Sequence, residues 1–246
     1  MSDVLNTKRA GDTASIIYAS LRQEILNGKI PHGALLSQLT LAKEFGTSRG
    51  PVREALQRLQ QEQLVIARTN QRYAVAPFDI ADYENLLCLK LLNMTVAIRV
   101  CAPLLSAEQL GRVAECVALM NNSVNVPDPT PEKDWGEDEW EKAYREFCLV
   151  VVEPAGKRTV ALITQFLDNL QRYRSNFQSR LLTVLHKDDV QLVHLAGVTE
   201  AAQSGDGELA SRLFADYFYR MGMLVMAGVA PRHDPAILRA TMNALL

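Results

Sequence analysis

The chain has 246 residues and a mass of 27.4 kDa, with 48 % hydrophobic and 22 % charged residues, which is enough apolar material for one large or two medium domains. That composition excludes disordered and low-complexity classes. A net charge of −2 excludes a chain that coats nucleic acid indiscriminately, but the charge is unevenly divided: residues 1–78 hold ten Lys+Arg against six Asp+Glu, and residues 79–246 hold sixteen against twenty-two. No apolar run of the roughly 20 residues needed to span a membrane is expected. The first twelve residues contain Lys8 and Arg9 and no apolar leader stretch, so the expectation is a cytoplasmic protein without a membrane partner. Four cysteines, at 88, 101, 116 and 148, lack C-x-x-C spacing and read as reduced core thiols.

In chain order, residues 1–12 read as a flexible lead-in. Ile17, Leu21 and Ile25 then recur at helical spacing until Asn27-Gly28 and Pro31-His32-Gly33 close the helix. A short second helix runs from Gln38 to Phe45 and stops at Gly46, and a third starts at Ser48. Two β-like runs, Val65 to Arg68 and Tyr73 to Val75, flank a polar turn at Thr69-Asn70-Gln71. Three short helices and a hairpin describe a winged helix-turn-helix over 13–77. Beyond Pro77 helices are expected near 80–102, 106–122, 135–154, 157–182, 187–203, 206–228 and 234–244. The fold class is therefore mainly α, with an antiparallel helical bundle over 78–246 following the winged domain.

The segment from Thr47 to Leu59 carries most chemistry. Ser48 suits an N-cap, and Pro51 falls in the first turn, where its missing N–H has no helical partner to lose. Val52, Ala55, Leu56 and Leu59 form the stripe that packs inward. Arg49 and Arg53, four apart, share another face near the helix start. Arginine there suits guanine O6/N7 or a phosphate, and the exposed N–H groups of the first turn add a phosphate site.

The block Ser48-Arg49-Gly50-Pro51-Val52-Arg53-Glu54-Ala55-Leu56 resembles the recognition helix of the GntR family of bacterial transcription regulators, whose pattern is Ser-Arg-x-Pro-Val-Arg-Glu-Ala-Leu. Leu35-Leu36-Ser37, Leu41-Ala42 and Phe45-Gly46-Thr47 fit the family's second helix and turn. The resemblance implies that Thr47, Ser48, Arg49 and Arg53 contact double-stranded operator DNA, with Asn70, Gln71 and Arg72 on the wing. Two positions depart from the pattern: Gln63 and Arg72 stand where the family usually has glycine. Arg72 is either a cation beside a phosphate or a solvated hairpin tip.

The remaining region resembles the FCD effector domain of the FadR subfamily, on landmarks such as Phe147, His194, Gly205-Asp206 and Ala210. Many members bind a divalent metal through one Asp and three His. The corresponding positions here are Tyr144, Cys148, His194 and Tyr217, so one ligand of four survives and no metal cofactor is expected. These four either line a metal-free effector pocket or are ordinary core residues, and Arg99 is a candidate counter-charge for an acidic effector. Implied partners are operator DNA, a small-molecule effector of the organic-acid kind, and a second copy of the chain, since one recognition helix reads only a half-site. The expected role is a regulator, a repressor in particular, and not an enzyme: no G-x-S-x-G, H-E-x-x-H, P-loop or dinucleotide fingerprint is present. The alternative is a helical protein-interaction module with weakened DNA binding.

Overall fold

The computed structural model describes residues 2–68, 72–124, 139–185 and 190–245, with side chains described over 12–68, 72–122, 139–173 and 195–245. It divides into two compact units, Met1–Asp79 with Asp168–Asn176, and Ile80–Leu167 with Phe177–Leu246.

The first unit is a winged helix-turn-helix. Helix α1 spans Ser2–Leu26, α2 Gln38–Glu44 and α3 Arg49–Gln61. Residues up to 12, expected as a flexible lead-in, thus lie on α1: between Ser2 and Asp12 only Gly11 has a strong bias against helix, a cost of about 1 kcal/mol. Strands β1 (Leu35–Leu36), β2 (Val65–Arg68) and β3 (Arg72–Val75) form one antiparallel sheet in the order β1-β3-β2. β1 is a two-residue strand that the sequence pattern does not predict. Its backbone pairs Leu35 with Ala74 and Leu36 with Tyr73, closing the free edge of β3. Ile17, Leu21 and Ile25 of α1 and Val52, Ala55, Leu56 and Leu59 of α3 are essentially inaccessible, and each large aliphatic among them contributes roughly 1.5–3 kcal/mol of burial.

Helix ends set how α2 turns into α3. Ser37 caps α2 through its hydroxyl, which accepts from Thr40 N. At the far end Gly46 takes φ +59 while Gly46 N donates to Lys43 O and Thr47 N to Ala42 O, a Schellman turn that redirects the chain into α3. Ser48 has the extended N-cap backbone, but its hydroxyl makes no cap bond, contrary to the expected side-chain role. Helix α3 closes with the same motif: Gln63 N donates to Gln60 O and Leu64 N to Leu59 O, both 3.0 Å. Gln63 there adopts φ +61, so the backbone keeps the left-handed turn although glycine is absent. Gln63→Gly is expected to raise stability by about 0.5–1 kcal/mol, read as a higher denaturant midpoint at unchanged slope.

Residues Asp168–Asn176 complete this unit. Arg22 bonds Glu62 at 3.0 Å and also Asp168. Tyr173, fully buried, packs against His32 and Phe78 with ring centroids 5.4 and 5.6 Å away. His32 Nδ1–H donates to the Ala76 carbonyl at 2.7 Å, and burial holds the imidazole pKa below its ordinary value, with the nearby Arg172 charge acting in the same direction. A folded-state pKa depressed below about 6.5 means the unfolded chain takes up the proton first. Stability from this residue is therefore present at pH 7 and lost as the pH falls below the unfolded value. Melting temperatures compared between pH 7.5 and 5 should fall more in the wild type than in His32→Asn; equal slopes would contradict the assignment.

The second unit is helical: α4 Ile80–Cys101, α5 Ala107–Val124, α6 Glu139–Val150, α7 Lys157–Leu185, α8 Val190–Gln203, α9 Gly207–Val229 and α10 Ala236–Leu245, with residues 168–176 of α7 counting with the first unit. α8 turns into α9 through Gly205 at φ +75 and Asp206, whose carboxylate accepts from Leu209 N at 2.8 Å. The start of α9 lies hard against α4: a Cβ on Gly207 would stand 2.1 Å from the Arg99 carbonyl oxygen. Glu84, 3 % exposed, accepts from Leu238 N at 3.0 Å and from His233 at 2.6 Å, tying the start of α10 to α4. The absence of a span-length apolar run needs correcting. Residues Ile80–Leu104 are long and apolar enough by length and composition, with an 18-residue window of mean hydropathy 1.6, yet 61 % of that window is buried inside the protein. A core helix passes the same test because its inner face is apolar for packing.

Candidate nucleic-acid interface

Recognition helix α3 buries Pro51, Val52, Ala55, Leu56 and Leu59, which leaves Arg49, Arg53 and Gln57 on the exposed face at four-residue spacing. Among the described residues neither Arg49 nor Arg53 has an ion-pair or hydrogen-bond partner, so both guanidinium forks are available to a ligand. Ser48 and Gly50 are exposed beside them and Thr47 half-buried. The one acidic residue of the block is neutralised within the helix: Glu54 accepts from Arg58 at 2.6 Å, and Arg58 also donates to Ser15. Gln57 was missed in reading the sequence; counting four residues on from Arg53 finds it. Its carboxamide fits the N6/N7 edge of adenine.

Asn70 and Gln71 lie outside the described residues. Arg72 opens β3, exposed, and the hairpin register sets it directly opposite exposed Arg68. Like charges facing each other across a strand pair repel, which costs stability unless an anion lies between them. Arg68 too was missed, because its partnership depends on the register of the turn.

In the helical unit Tyr144, Cys148 and Tyr217 come together in the core. The Tyr144 and Tyr217 ring centroids are 6.4 Å apart, Trp140 stacks on Tyr144 at 5.1 Å, and all three predicted residues are buried. The sequence reading omitted Lys90 of α4. It is 1 % exposed, donates from Nζ to the Tyr144 hydroxyl at 3.0 Å, and lies 4.5 and 4.6 Å from the Tyr144 and Phe218 ring centroids. Its position inside an apolar helical stripe reads as an outward lysine, so only packing reveals it. Burial pushes the Tyr144 phenol and the Cys148 thiol up, keeping both neutral at pH 7, although the Lys90 charge opposes this at Cys148. Neutral phenols and a thiol beside a buried ammonium do not fit a divalent metal: the ammonium repels a second cation and the donors are in their protonated forms. His194 falls on α8, but its side chain lies outside the described residues. Arg99 does not join the cluster. Its guanidinium bonds Glu208 at 2.8 Å and the buried Ser211 at 3.4 Å in the first turns of α9, the helix end that Gly207 lets approach α4.

A winged helix whose recognition helix presents two unengaged arginines defines the first unit as a DNA-binding domain. Residues 13–75 match the family described as bacterial regulatory proteins, gntR family, so the likeness to that family lies in this domain. The gluconate operon transcriptional repressor of Bacillus subtilis is 49 % identical over 45 residues, 18 % of this chain and 18 % of the repressor. An uncharacterized HTH-type transcriptional regulator of the same organism, YdhC, is 30 % identical over 69 residues, 28 % of this chain and 31 % of the relative. The chain thus spans under a third of the length of these two relatives. Among solved structures, E. coli McbR/YncC superposes with a TM-score of 0.69 at 16 % identity, covering 87 % of this chain and 97 % of that one, which shows a shared fold.

Proposed function

We propose that the protein is a sequence-specific DNA-binding transcriptional regulator, acting as a repressor, whose helical unit belongs to the FCD type of the FadR subfamily and senses a small organic acid. The observation that carries this reading is the exposed, unengaged pair Arg49 and Arg53 at the start of a helix whose opposite face is buried. Thr47, Ser48, Gln57 and the first-turn N–H groups complete the reading surface. Arg68 and Arg72, with Asn70 and Gln71 on the same wing, grip the sugar-phosphate backbone. Two copies read a palindromic operator.

The effector reading is supported by Lys90, a cation held in the core beside the hydroxyl of Tyr144, with Cys148 and Tyr217 buried in the same cluster. A carboxylate exchanged into this environment gains a charge-assisted hydrogen bond. Release of DNA follows when the acid prefers the conformation whose reading heads no longer match the operator. The test is a fluorescence titration of the protein on its own upstream DNA, repeated with a panel of small carboxylates. Operator release by one of them, lost in Lys90→Met while DNA affinity is kept, supports the reading; tight binding indifferent to every acid refutes the sensing half.

A further inference from the structure

The first unit holds a groove between the second half of α1, strand β1 and helix α2, and among the described residues none of α3 or the wing lines it. Its volume of about 530 Å³ falls within the range of small-molecule sites. Leu21, Leu36 and Leu41, all nearly inaccessible, form its floor with half-buried Ile30 and Phe45. Glu24, half-buried, and Glu44, exposed, stand over that floor, and among the described residues neither has an ion-pair partner. Glu24 is held by Ser20, whose hydroxyl donates to it at 3.2 Å. Both carboxylates fall in the last turn of their helices, where the carbonyl ends already favour a cation, and α1 supplies no basic residue there.

The lining contains no Lys, Arg or His, so an anionic ligand finds no counter-charge in it. Among the described residues no three His, Cys, Asp or Glu side chains come together as a metal ion needs. An organic cation with an apolar body satisfies both the rim and the floor. We infer that this groove binds an aliphatic amine of the di- or polyamine class, with its ammonium groups on Glu24 and Glu44 and its methylene chain on the leucine floor. An ammonium offers three donors to carboxylates that only accept, and each such bond is charge-assisted. Burial of the methylenes distinguishes the amine from a hydrated inorganic cation. The bound amine ties α1 to α2 and so stabilises the native unit. The site differs in unit and in ligand charge from the cluster around Lys90, and it does not rest on the acid-sensing reading.

Isothermal titration calorimetry of the full chain without DNA tests it, with hexamethylenediamine as the probe. One equivalent should bind per chain with a Kd between about 10 μM and 1 mM, the range for a ligand of this size. Aminocaproate, the six-carbon analogue with a carboxylate at one end, should bind at least about 10-fold more weakly. Glu24→Gln combined with Glu44→Gln should also weaken the diamine at least about 10-fold, with unchanged far-UV circular dichroism because both side chains reach solvent. Where that double variant loses helicity, Leu35→Lys decides. Leu35 is 67 % exposed at the lip of the groove, and the introduced ammonium should compete for the carboxylates and cut diamine binding by a similar factor. No binding at about 10 mM diamine overturns the proposal. So does equal affinity for aminocaproate, or a folded variant that binds like the wild type, since either marks only a cation drawn to acidic surface. Failure of the wild type to bind DNA leaves these readings intact and removes the regulatory function instead.

Discussion

Replacing Arg49 and Arg53 together by alanine is expected to abolish specific operator binding while leaving the fold untouched. Both side chains are exposed, and the core stripe of α3 turns the other way, so thermal stability should change by less than about 0.5 kcal/mol. A base-reading arginine is worth about 1–3 kcal/mol, so the double variant should lose about 2–6 kcal/mol per reading head, between roughly 30-fold and 10⁴-fold in affinity. The two residues are one turn apart and share a groove, so their effects need not add. Single variants separate their roles. An arginine on a base relaxes specificity at one position, whereas an arginine on a phosphate weakens all sequences alike and lowers the salt slope by about one. Arg68→Ala and Arg72→Ala on the wing belong to the second kind. Competition titrations with operator and scrambled DNA at two salt concentrations give both readings, and a double variant with wild-type affinity would remove α3 as the reading helix.

Gly207→Ala should be strongly damaging for a single added methyl. The added Cβ would meet the Arg99 carbonyl oxygen at 2.1 Å, the Pro103 ring at 3.0 Å and the Arg99 carbonyl carbon at 3.1 Å. All three belong to backbone or to a proline ring, so no side-chain rotation relieves the overlap and α9 must move away from the end of α4. Overpacking of this kind typically costs 1–3 kcal/mol, and with rigid atoms on every side about 3 kcal/mol or more is expected. At this chain length that lowers the melting temperature by roughly 6–12 °C. Gly111→Ala supplies the contrast. It lies in α5 with nothing within 4 Å of the added carbon, and should stabilise the protein by roughly 0.5–1 kcal/mol. Differential scanning calorimetry of the two variants should give shifts of opposite sign; a neutral Gly207→Ala would contradict the packing of α4 against α9.

The exposed face of α3 was legible in the sequence because its signals are local. Gly46, Pro51 and the buried stripe of α3 each act within a few residues, so spacing alone orients Arg49 and Arg53 outward. The β1 strand was not legible, since two leucines after a turn have no periodicity and gain their role only from the edge of β3. Gln63 shows the opposite case: a residue disfavoured at φ +61 holds that conformation because the bonds to Leu59 and Gln60 and the burial of Leu64 outweigh its local cost. In the helical unit, the landmarks of the family resemblance found Tyr144, Cys148 and Tyr217, and helical spacing adds only that the first two share a face. Lys90 and the pairing of Arg99 with Glu208 arise from which helices meet, and no window of sequence encodes that. The segment Asp168–Asn176 is another such case, far from residue 79 in sequence yet packed with His32 and Phe78.

Footprinting of the wild-type protein on the DNA upstream of its own coding region tests the central claim most directly. Sequence-specific reading by paired α3 helices predicts two protected half-sites of inverted sequence, centred one helical turn or a small multiple of it apart, that persist under excess nonspecific DNA. Protection spread evenly along the fragment, or abolished by the competitor, would contradict it.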